Sequence, residues 1–412
     1  MKESAVTVEN SGRQEKPSAR RADVAVLTAG RDKPYALGLA DALVEKGIPF
    51  EFLGSGDVDS PQLHNNPLIT FRNPRGDQAE NAALSKKVTR VLKYYVRLLW
   101  YAVNAQPRVF HILWNNKLEW FDRTFLMLFY RICGRKIAYT AHNVNMRSRD
   151  GNDSFLNRLT LRIQYRLADH IFVHTQQMKG ELQDQFQVPP SKVSVIPFGM
   201  NSTVPDTTLN RTAARTKLGL SPHERVLLFY GYIAPYKGLD YLVESLSRLP
   251  KNGPPHRLVI AGQVKKNGDA YWSGIQQTIQ RLNLSPLILS RIEFIPDEDT
   301  EIYFKAADAL VLPYTFIFQS GVLFLGYNFG LPVLAADVGS LKENIVEGET
   351  GFVFPPRDPE ELARTIQRFF DSNLYRELPL RRQAIRAFAA DRYSWSRVGT
   401  ITGQVYSQLL KT

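Results

Sequence analysis

Residues 309–355, ALVLPYTFIFQSGVLFLGYNFGLPVLAADVGSLKENIVEGETGFVFP, hold two strand–turn–helix passages in succession. The run from Ala309 is apolar enough for a buried strand, Gln319-Ser320-Gly321 is a small-residue turn, and the apolar stretch behind it reads as a helix. A strand, a turn and a helix then follow again through Pro332, Val338 and Gly351. A strand ending in such a turn leaves the first backbone N–H groups of the helix unpaired and aimed at whatever lies above the strand. The helix dipole adds partial positive charge at the same spot, which suits a phosphate. Ser320 can equally be an ordinary helix cap, worth ~1 kcal/mol. The turn alone does not separate the two roles.

Outward from this segment, strand-like and helix-like runs alternate almost without a break, the pattern of parallel sheets with helices on both faces. In the first half the strand candidates begin at Val24, Phe50, Leu68, Val109, Lys136, His170 and Val193. The periodicity lapses through MNSTVPDTTLNRTAART after Phe198-Gly199, which places an interdomain linker there. A second series of strands begins at Val226, Leu258, Ile292, Ala309, Pro332 and Gly351. The fold class is therefore α/β, with two Rossmann-like domains facing across a cleft. The expected units are a disordered tail over 1–21, a first domain over 22–200, a second over 201–390, and a terminal helix over 391–412. In open parallel sheets, ligands bind beyond the carboxyl ends of the strands.

Composition narrows the classes. The chain of 412 residues can fill two full cores, and a hydrophobic fraction of 44% argues for a folded protein. The one cysteine, Cys133, excludes an internal disulfide and a Cys-rich metal site. No pair of histidines has metal-ligand spacing on a helix, so no metal is expected. No segment reaches the ~20 uninterrupted apolar residues needed to span a bilayer. The expected location is cytoplasmic.

The net charge of +12 raises the question of a partner. Nucleic acid is disfavoured, because no recognition motif or Arg-rich arm accompanies the charge. Much of it sits in the first half, notably in SKKVTRVLKYYVRLLWYAV, Ser85 to Val103. Lys86, Lys87, Arg90, Lys93 and Arg97 interleave there at helical spacing with Val88, Val91, Leu92, Tyr95, Leu98 and Leu99. Together with Tyr94, Trp100 and Tyr101, such a helix suits an anionic membrane surface. It equally suits a helix whose apolar face packs on the core while its basic face is solvated.

The opening segment resembles the nucleotide-sugar site of the retaining glycosyltransferases of family 4 (group 1), which have the GT-B fold. The resemblance rests on Ser320-Gly321, Gly330-Leu331-Pro332-Val333, Val338-Gly339-Ser340-Leu341-Lys342-Glu343, Gly348-Glu349-Thr350-Gly351-Phe352 and Asp358-Pro359-Glu360-Glu361-Leu362. It is strongest from Leu227 to Phe370 and looser before Ala138. It implies metal-free transfer of a hexose from a nucleotide sugar with retained configuration, and a terminal helix that returns to the first domain. Within it, Gln319, Ser320, Gly321 and Glu343 fall at donor-binding positions.

Lys237, in LLFYGYIAPYKGLDYLVESL, follows a strand and a loop at a helix start. From there a lysine can reach the phosphates that the Ser320-Gly321 turn would hold, or else lie solvated at the surface. The family has Gly-Arg here, followed by Lys-Gly, and binds diphosphate with both cations; this chain keeps Gly231, Lys237 and Gly238 but has Tyr232 in place of the arginine. His142 ends the strand KIAYTAH at the rim of the expected cleft. A histidine there can hydrogen-bond a sugar hydroxyl, handle a proton, or simply be satisfied by local backbone. The family's histidine at this place lies near the donor sugar. Gly30 ends the first strand, where a glycine lets backbone approach a ligand closely.

The family's Glu-x7-Glu pair, which touches the donor sugar and the ribose, is replaced by Ile317 and Leu325. Gln319 is the nearest polar substitute. Acceptor contacts are expected at Trp114, Asn115, Asn116 and Arg147. The function so implied is hexosyl transfer from a nucleotide sugar to a saccharide or lipid-linked acceptor, in cell-surface polysaccharide synthesis, at the cytoplasmic face of the inner membrane. The alternative, raised by the missing carboxylates and Tyr232, is a catalytically silent GT-B scaffold or glycan-binding partner subunit.

Overall fold

A computed structural model describes residues 21–412 except 31, 77–83, 150–151, 201–203 and 251. The expected disordered tail thus lies, but for Arg21, outside the described residues.

Seven strands form the first sheet: β1 Val24–Leu27, β2 Phe50–Leu53, β3 Ile69–Arg72, β4 Val109–Ile112, β5 Lys136–Thr140, β6 His170–Val173 and β7 Val193–Val195. All pair in parallel, in the order β3-β2-β1-β4-β5-β6-β7. The second sheet has six: β8 Arg225–Tyr230, β9 His256–Ala261, β10 Ile288–Arg291, β11 Ala309–Leu312, β12 Val333–Ala336 and β13 Gly351–Phe354. These are also parallel, in the order β10-β9-β8-β11-β12-β13. The central strands read as unbroken apolar runs because helices cover both faces, and β1, β2, β4, β6, β11 and β12 are buried throughout. Strand order reverses between β1 and β4 in one sheet and between β8 and β11 in the other. Those switch points open a crevice in each sheet.

One strand differs from the sequence reading. The apolar residues from Ile292 form the approach to the next helix, with Ile295 buried and Phe294 exposed. The strand is Ile288–Arg291, at the sheet edge and only half-buried, so its sequence lacks the apolar signature of the central strands. The basic helix spans Leu84–Asn104. Its core face carries Tyr94, Tyr95, Leu98 and Tyr101, so three of the four aromatic residues expected at a membrane surface are buried. Trp100 is exposed.

The terminal helix, Trp395–Lys411, crosses back and lies along the Lys33–Glu45 helix of the first domain. Val398, Val405 and Tyr406 join the first-domain core, and Gly399 allows so close an approach that a Cβ would stand 2.6 Å from the Ala42 carbonyl oxygen. The Trp395 indole lies between two more glycines. A Cβ on Gly38 would stand 2.1 Å from its ring and one on Gly199 2.5 Å from it, while Nε1 donates to the Met200 carbonyl at 2.6 Å. No described helix is long and apolar enough to cross a membrane.

The Gly38→Ala substitution is expected to destabilise the protein by about 1–3 kcal/mol through overpacking, read as a lower urea midpoint. Combined with Trp395→Leu, its cost should be smaller than the sum of the two single effects, because the residues share one contact. Additive costs would show that the indole does not wedge here.

Candidate active site

In the second domain the site is built at the switch point between β8 and β11. Gly231 follows β8 with φ +96, and the short turn Pro235–Lys237 comes next. Gly238 (φ +62) lets that turn press on the end of β11, where a Cβ would stand 2.0 Å from the Pro313 carbonyl oxygen. The Thr315 amide donates to the Tyr236 carbonyl at 2.9 Å, clipping the two loops together. Lys237 is thereby buried, with Nζ 5.2 Å from the centre of the Tyr314 ring. Among the described residues it has no carboxylate partner, and burial pushes its ammonium below the usual lysine range.

The 319–322 turn faces it. A Cβ built on Gly231 would lie 3.1 Å from Lys237 Nζ and 3.7 Å from a methyl of Val322, so lysine and turn meet across one small volume. Ser320 is buried at the start of the Gly321–Asn328 helix, but its side chain makes no capping hydrogen bond; its Oγ sits 3.3 Å from the Tyr314 hydroxyl. The N-cap role is therefore not filled by its side chain, and the Gly321 and Val322 amides are two of the orphan donors that a helix start leaves. The Gln319 carbonyl oxygen Oε1 is buried without a partner among the described residues. The cation and the helix-start N–H groups thus meet without a protein anion among the described residues.

The Val338-Gly339-Ser340 stretch explains how the turn is held. Gly339 (φ +56) packs so closely that a Cβ would stand 1.8 Å from the Ile317 carbonyl oxygen, and both the amide and hydroxyl of Ser340 donate to the Phe318 carbonyl. This stretch clamps the residues just before Gln319. Glu343, a little further along, is exposed and makes no side-chain hydrogen bond or ion pair among the described residues. Tyr232 is exposed as well, so the position of the family's arginine offers no second cation.

The opposing wall is aromatic. Tyr35 is buried at its centre and meets Trp114, His142, His174, Phe198 and Trp395 with ring centroids 4.6–5.7 Å away. The His142 ring stacks on Trp114 at 4.5 Å with the two planes nearly parallel, and its Nδ1 lies 3.0 Å from His174 Nε2. Its Nε2 is buried without a partner among the described residues. Burial above all, then the neighbouring His174 and His111, hold His142 well below the usual histidine range, and burial takes His174 down to about 4. Both rings are neutral near pH 7. The domains touch where Phe198 stacks on Phe324 at 5.7 Å. A cavity of about 290 Å³ lies beside that contact, lined among others by Asp32, Tyr35, Gly199, Gly321, Leu325 and Trp395.

Gly30 (φ +66) sits against Ser55, outside the cavity lining, and makes the turn that delivers Asp32 and Tyr35 to the cleft. Of the acceptor candidates, Trp114 belongs to the aromatic wall. Asn115 is engaged with Gln164, and Asn116 is buried between the Tyr94 hydroxyl and Asp122. Arg147 pairs with Glu119 at 3.6 Å, on the rim. The two asparagines thus spend their amides on internal partners. Asp32, Tyr35, His174, Phe198 and Trp395 were not singled out from sequence as site residues, since they meet only through contacts between distant segments. No cluster of metal-ligating side chains occurs among the described residues.

Two domains of this kind, with these crevices face to face, define a GT-B fold. The family model described as Glycosyl transferases group 1 matches residues 210–388, and that described as Glycosyltransferase Family 4 matches residues 34–203. The chain belongs to this glycosyltransferase family. Among curated relatives, D-inositol 3-phosphate glycosyltransferase of Streptomyces scabiei is 31% identical over 246 residues, 59% of this chain and 54% of the relative. That of Segniliparus rotundus is 25% identical over 347 residues, 81% of this chain and 75% of the relative. The chain spans about half the length of the first of these relatives. Sucrose-phosphate synthase from Thermosynechococcus elongatus superposes with a TM-score of 0.73 at 20% identity, over 95% of this chain and all of that one. HepE of Anabaena, solved in complex with UDP, gives 0.71 at 16%, over 94% of this chain and all of that one. At these identities the structural likeness speaks for the fold.

The buried histidines make stability depend on pH. His111 is lowered to about 3, and His170 and His174 to about 4, each chiefly by burial. The unfolded chain therefore binds protons that the folded chain refuses. The stabilisation is whole above about 6.5, the ordinary histidine value, and is lost progressively as pH falls towards about 4. The urea midpoint should drop across that window, with a shallower slope in a His174→Gln variant. Asp122, raised by burial to about 6, opposes part of this drop, so the comparison decides: a slope unchanged in His174→Gln would mean that His174 is charged in the fold.

Proposed function

We propose that the protein transfers a hexose from a nucleotide sugar to a saccharide or lipid-linked acceptor, with retention of anomeric configuration. The single observation behind this reading is Lys237, buried without a carboxylate beside free helix-start amides. A buried unpaired cation is costly, and a diphosphate held there would neutralise it. Lys237 and the Gly321 and Val322 amides would oppose the charge that grows on the departing nucleoside diphosphate.

In the reaction, the bond from the sugar's anomeric carbon to the phosphate oxygen breaks, and the bond to the acceptor oxygen forms on the same face. The acceptor proton passes to the departing phosphate oxygen. No metal is assigned a part. His142, neutral and with Nε2 free, is suited to hydrogen-bond a sugar hydroxyl. The aromatic wall of Tyr35 and Trp114 would keep water from the reacting centre. The acceptor chemistry we favour is cell-surface polysaccharide synthesis at the cytoplasmic face of the membrane, supported by the basic first domain. That HepE was solved with UDP makes a uridine nucleotide the first donor to try.

Calorimetric titration with UDP-, GDP- and ADP-sugars tests this directly. One of them should bind, and Lys237→Ala should weaken it at least thirtyfold, roughly 2 kcal/mol for the loss of a desolvated charge contact. A second expectation concerns Leu325. It lines the cavity with no group able to bond a ribose hydroxyl, so nucleotides and their 2′- and 3′-deoxy forms should bind within about threefold. A buried carboxylate would instead separate them by tenfold or more. The same apolar residue favours the rival reading, a GT-B scaffold without catalysis. A folded protein that bound none of these nucleotides would support that reading instead.

A further inference from the structure

Fourteen of the eighteen exposed large apolar side chains among the described residues lie between 88 and 159, twelve of them on three helical segments of the first domain. Three helical segments stand side by side there. The Leu84–Asn104 helix meets the Glu119–Ile132 segment through Tyr95, whose ring packs on Phe121 at 5.3 Å and whose hydroxyl donates to Asp122. That segment meets the Phe155–Leu167 helix through Arg123, which donates to Asn157, and Arg131, which donates to the Leu167 carbonyl. All three send their inner faces into one core cluster, so their outer faces form a single surface.

That surface is apolar where solvent should meet polar side chains. On the first helix Val88, Leu92, Val96 and Trp100 recur every four residues, and Val103 continues the stripe; Trp100 is 68% exposed. Trp120, Phe125, Leu128 and Ile132 line the second segment, with Ile132 at 75%. Phe155, Leu156 and Leu159 begin the third, with Phe155 at 83%. An apolar surface of this extent marks an interaction site. The core face of the first helix holds Tyr94, Tyr95, Leu98 and Tyr101, so its exposed stripe is a second apolar face that packing does not require.

The charge around it selects the partner. Residues 84–168 contain sixteen lysines and arginines against four aspartates and glutamates, a net +12 that equals the net charge of the whole chain. Lys86, Arg90, Lys93 and Arg97 recur at four- and three-residue steps on the flank beside the apolar stripe, and Arg162 and Arg166 continue the third helix beyond Leu159. A second copy of the same surface would bring like charges together. An anionic bilayer accepts both parts, the basic side chains among headgroups and the apolar ones below them.

We propose that this three-helix face docks on an anionic membrane, with Trp100, Phe125 and Phe155 among the side chains that enter it. The helices begin at the carboxyl ends of the strands, where the cleft opens. Trp120 follows β4 and the aromatic wall residue Trp114, and Phe155 follows β5 and His142. The docked face therefore reaches the cleft mouth and would bring a lipid-linked acceptor to it. Only this last step rests on the proposed transferase function; the docking does not.

Sedimentation with phosphatidylcholine vesicles, with and without phosphatidylglycerol, tests the surface. The protein should bind the anionic vesicles, and Lys86→Gln with Lys93→Gln should weaken binding roughly fivefold per charge. Leu92→Glu with Trp100→Glu should weaken it further, with the melting temperature and nucleotide binding unchanged because both sites are exposed. Brominated lipid should quench tryptophan fluorescence, and a Trp100→Phe variant should lose part of that quenching. Absence of binding, or binding indifferent to Leu92→Glu and Trp100→Glu, would overturn the proposal. So would a concentration-dependent dimer that these substitutions dissolve, which would assign the face to a second copy. Vesicle binding needs neither donor nor acceptor. Vesicle binding without nucleotide binding would sink the transferase reading alone, and the reverse would sink the docking alone.

Discussion

The Trp395 indole ties the returning terminal helix to the first domain. Its ring fills space that Gly38 and Gly199 leave by having no side chain, and its Nε1 donates to the Met200 carbonyl at the start of the linker. The first helix, the end of the first domain and the returning terminal segment thus meet on one aromatic ring. Tyr35, 5.2 Å away, passes the constraint on, because its own ring touches Trp114, His142, His174 and Phe198. Phe198 in turn stacks on Phe324 of the second domain. The cleft is bounded by a chain of ring contacts, and ring contacts of this kind can slide more readily than hydrogen bonds can break.

Against the second domain the logic is electrostatic. Lys237 is buried by a turn whose approach to β11 depends on Gly238, and its charge is left to be met by a ligand. Neither Ile317 nor Leu325 can supply a carboxylate. In the proposed donor site these apolar side chains would offer no group to a ribose or a sugar hydroxyl. Under the proposed function, recognition would centre on phosphate, and Gln319 Oε1 and His142 Nε2, both buried without partners among the described residues, would be left for the sugar.

The sequence revealed most where burial is uniform. The central strands carry apolar runs because both sheet faces are covered, whereas β10, an edge strand with no buried residue, lacks that signature and the apolar run just behind it took its place. Lys237, Ser320, Gly321 and Gln319 could be found because turn and helix-start chemistry is local and leaves a local pattern. Tyr35, His174 and Trp395 could not, since what makes them part of the site is contact between residues far apart in the chain. Asn115 and Asn116 looked available from sequence for the converse reason: Gln164 and Tyr94, which consume their amides, stand 49 and 22 residues away. On the basic helix, periodicity showed that apolar and basic residues alternate. It did not show that the apolar residues form two faces, one of which the core leaves uncovered.

Two anion-attracting regions therefore coexist in one molecule, and their physics differs. The basic flank of the first domain is exposed, so its attraction extends only about 8 Å at physiological ionic strength. It acts on a surface brought close, such as a bilayer, and weakens as salt rises. Lys237 sits in a medium of lower dielectric, where a charge contact is stronger and salt has little access. Were both proposed ligands bound, raising the salt would release the anionic surface well before the nucleotide. The segregation would also keep the two proposed ligands from competing, since the basic flank is exposed while Lys237 is buried.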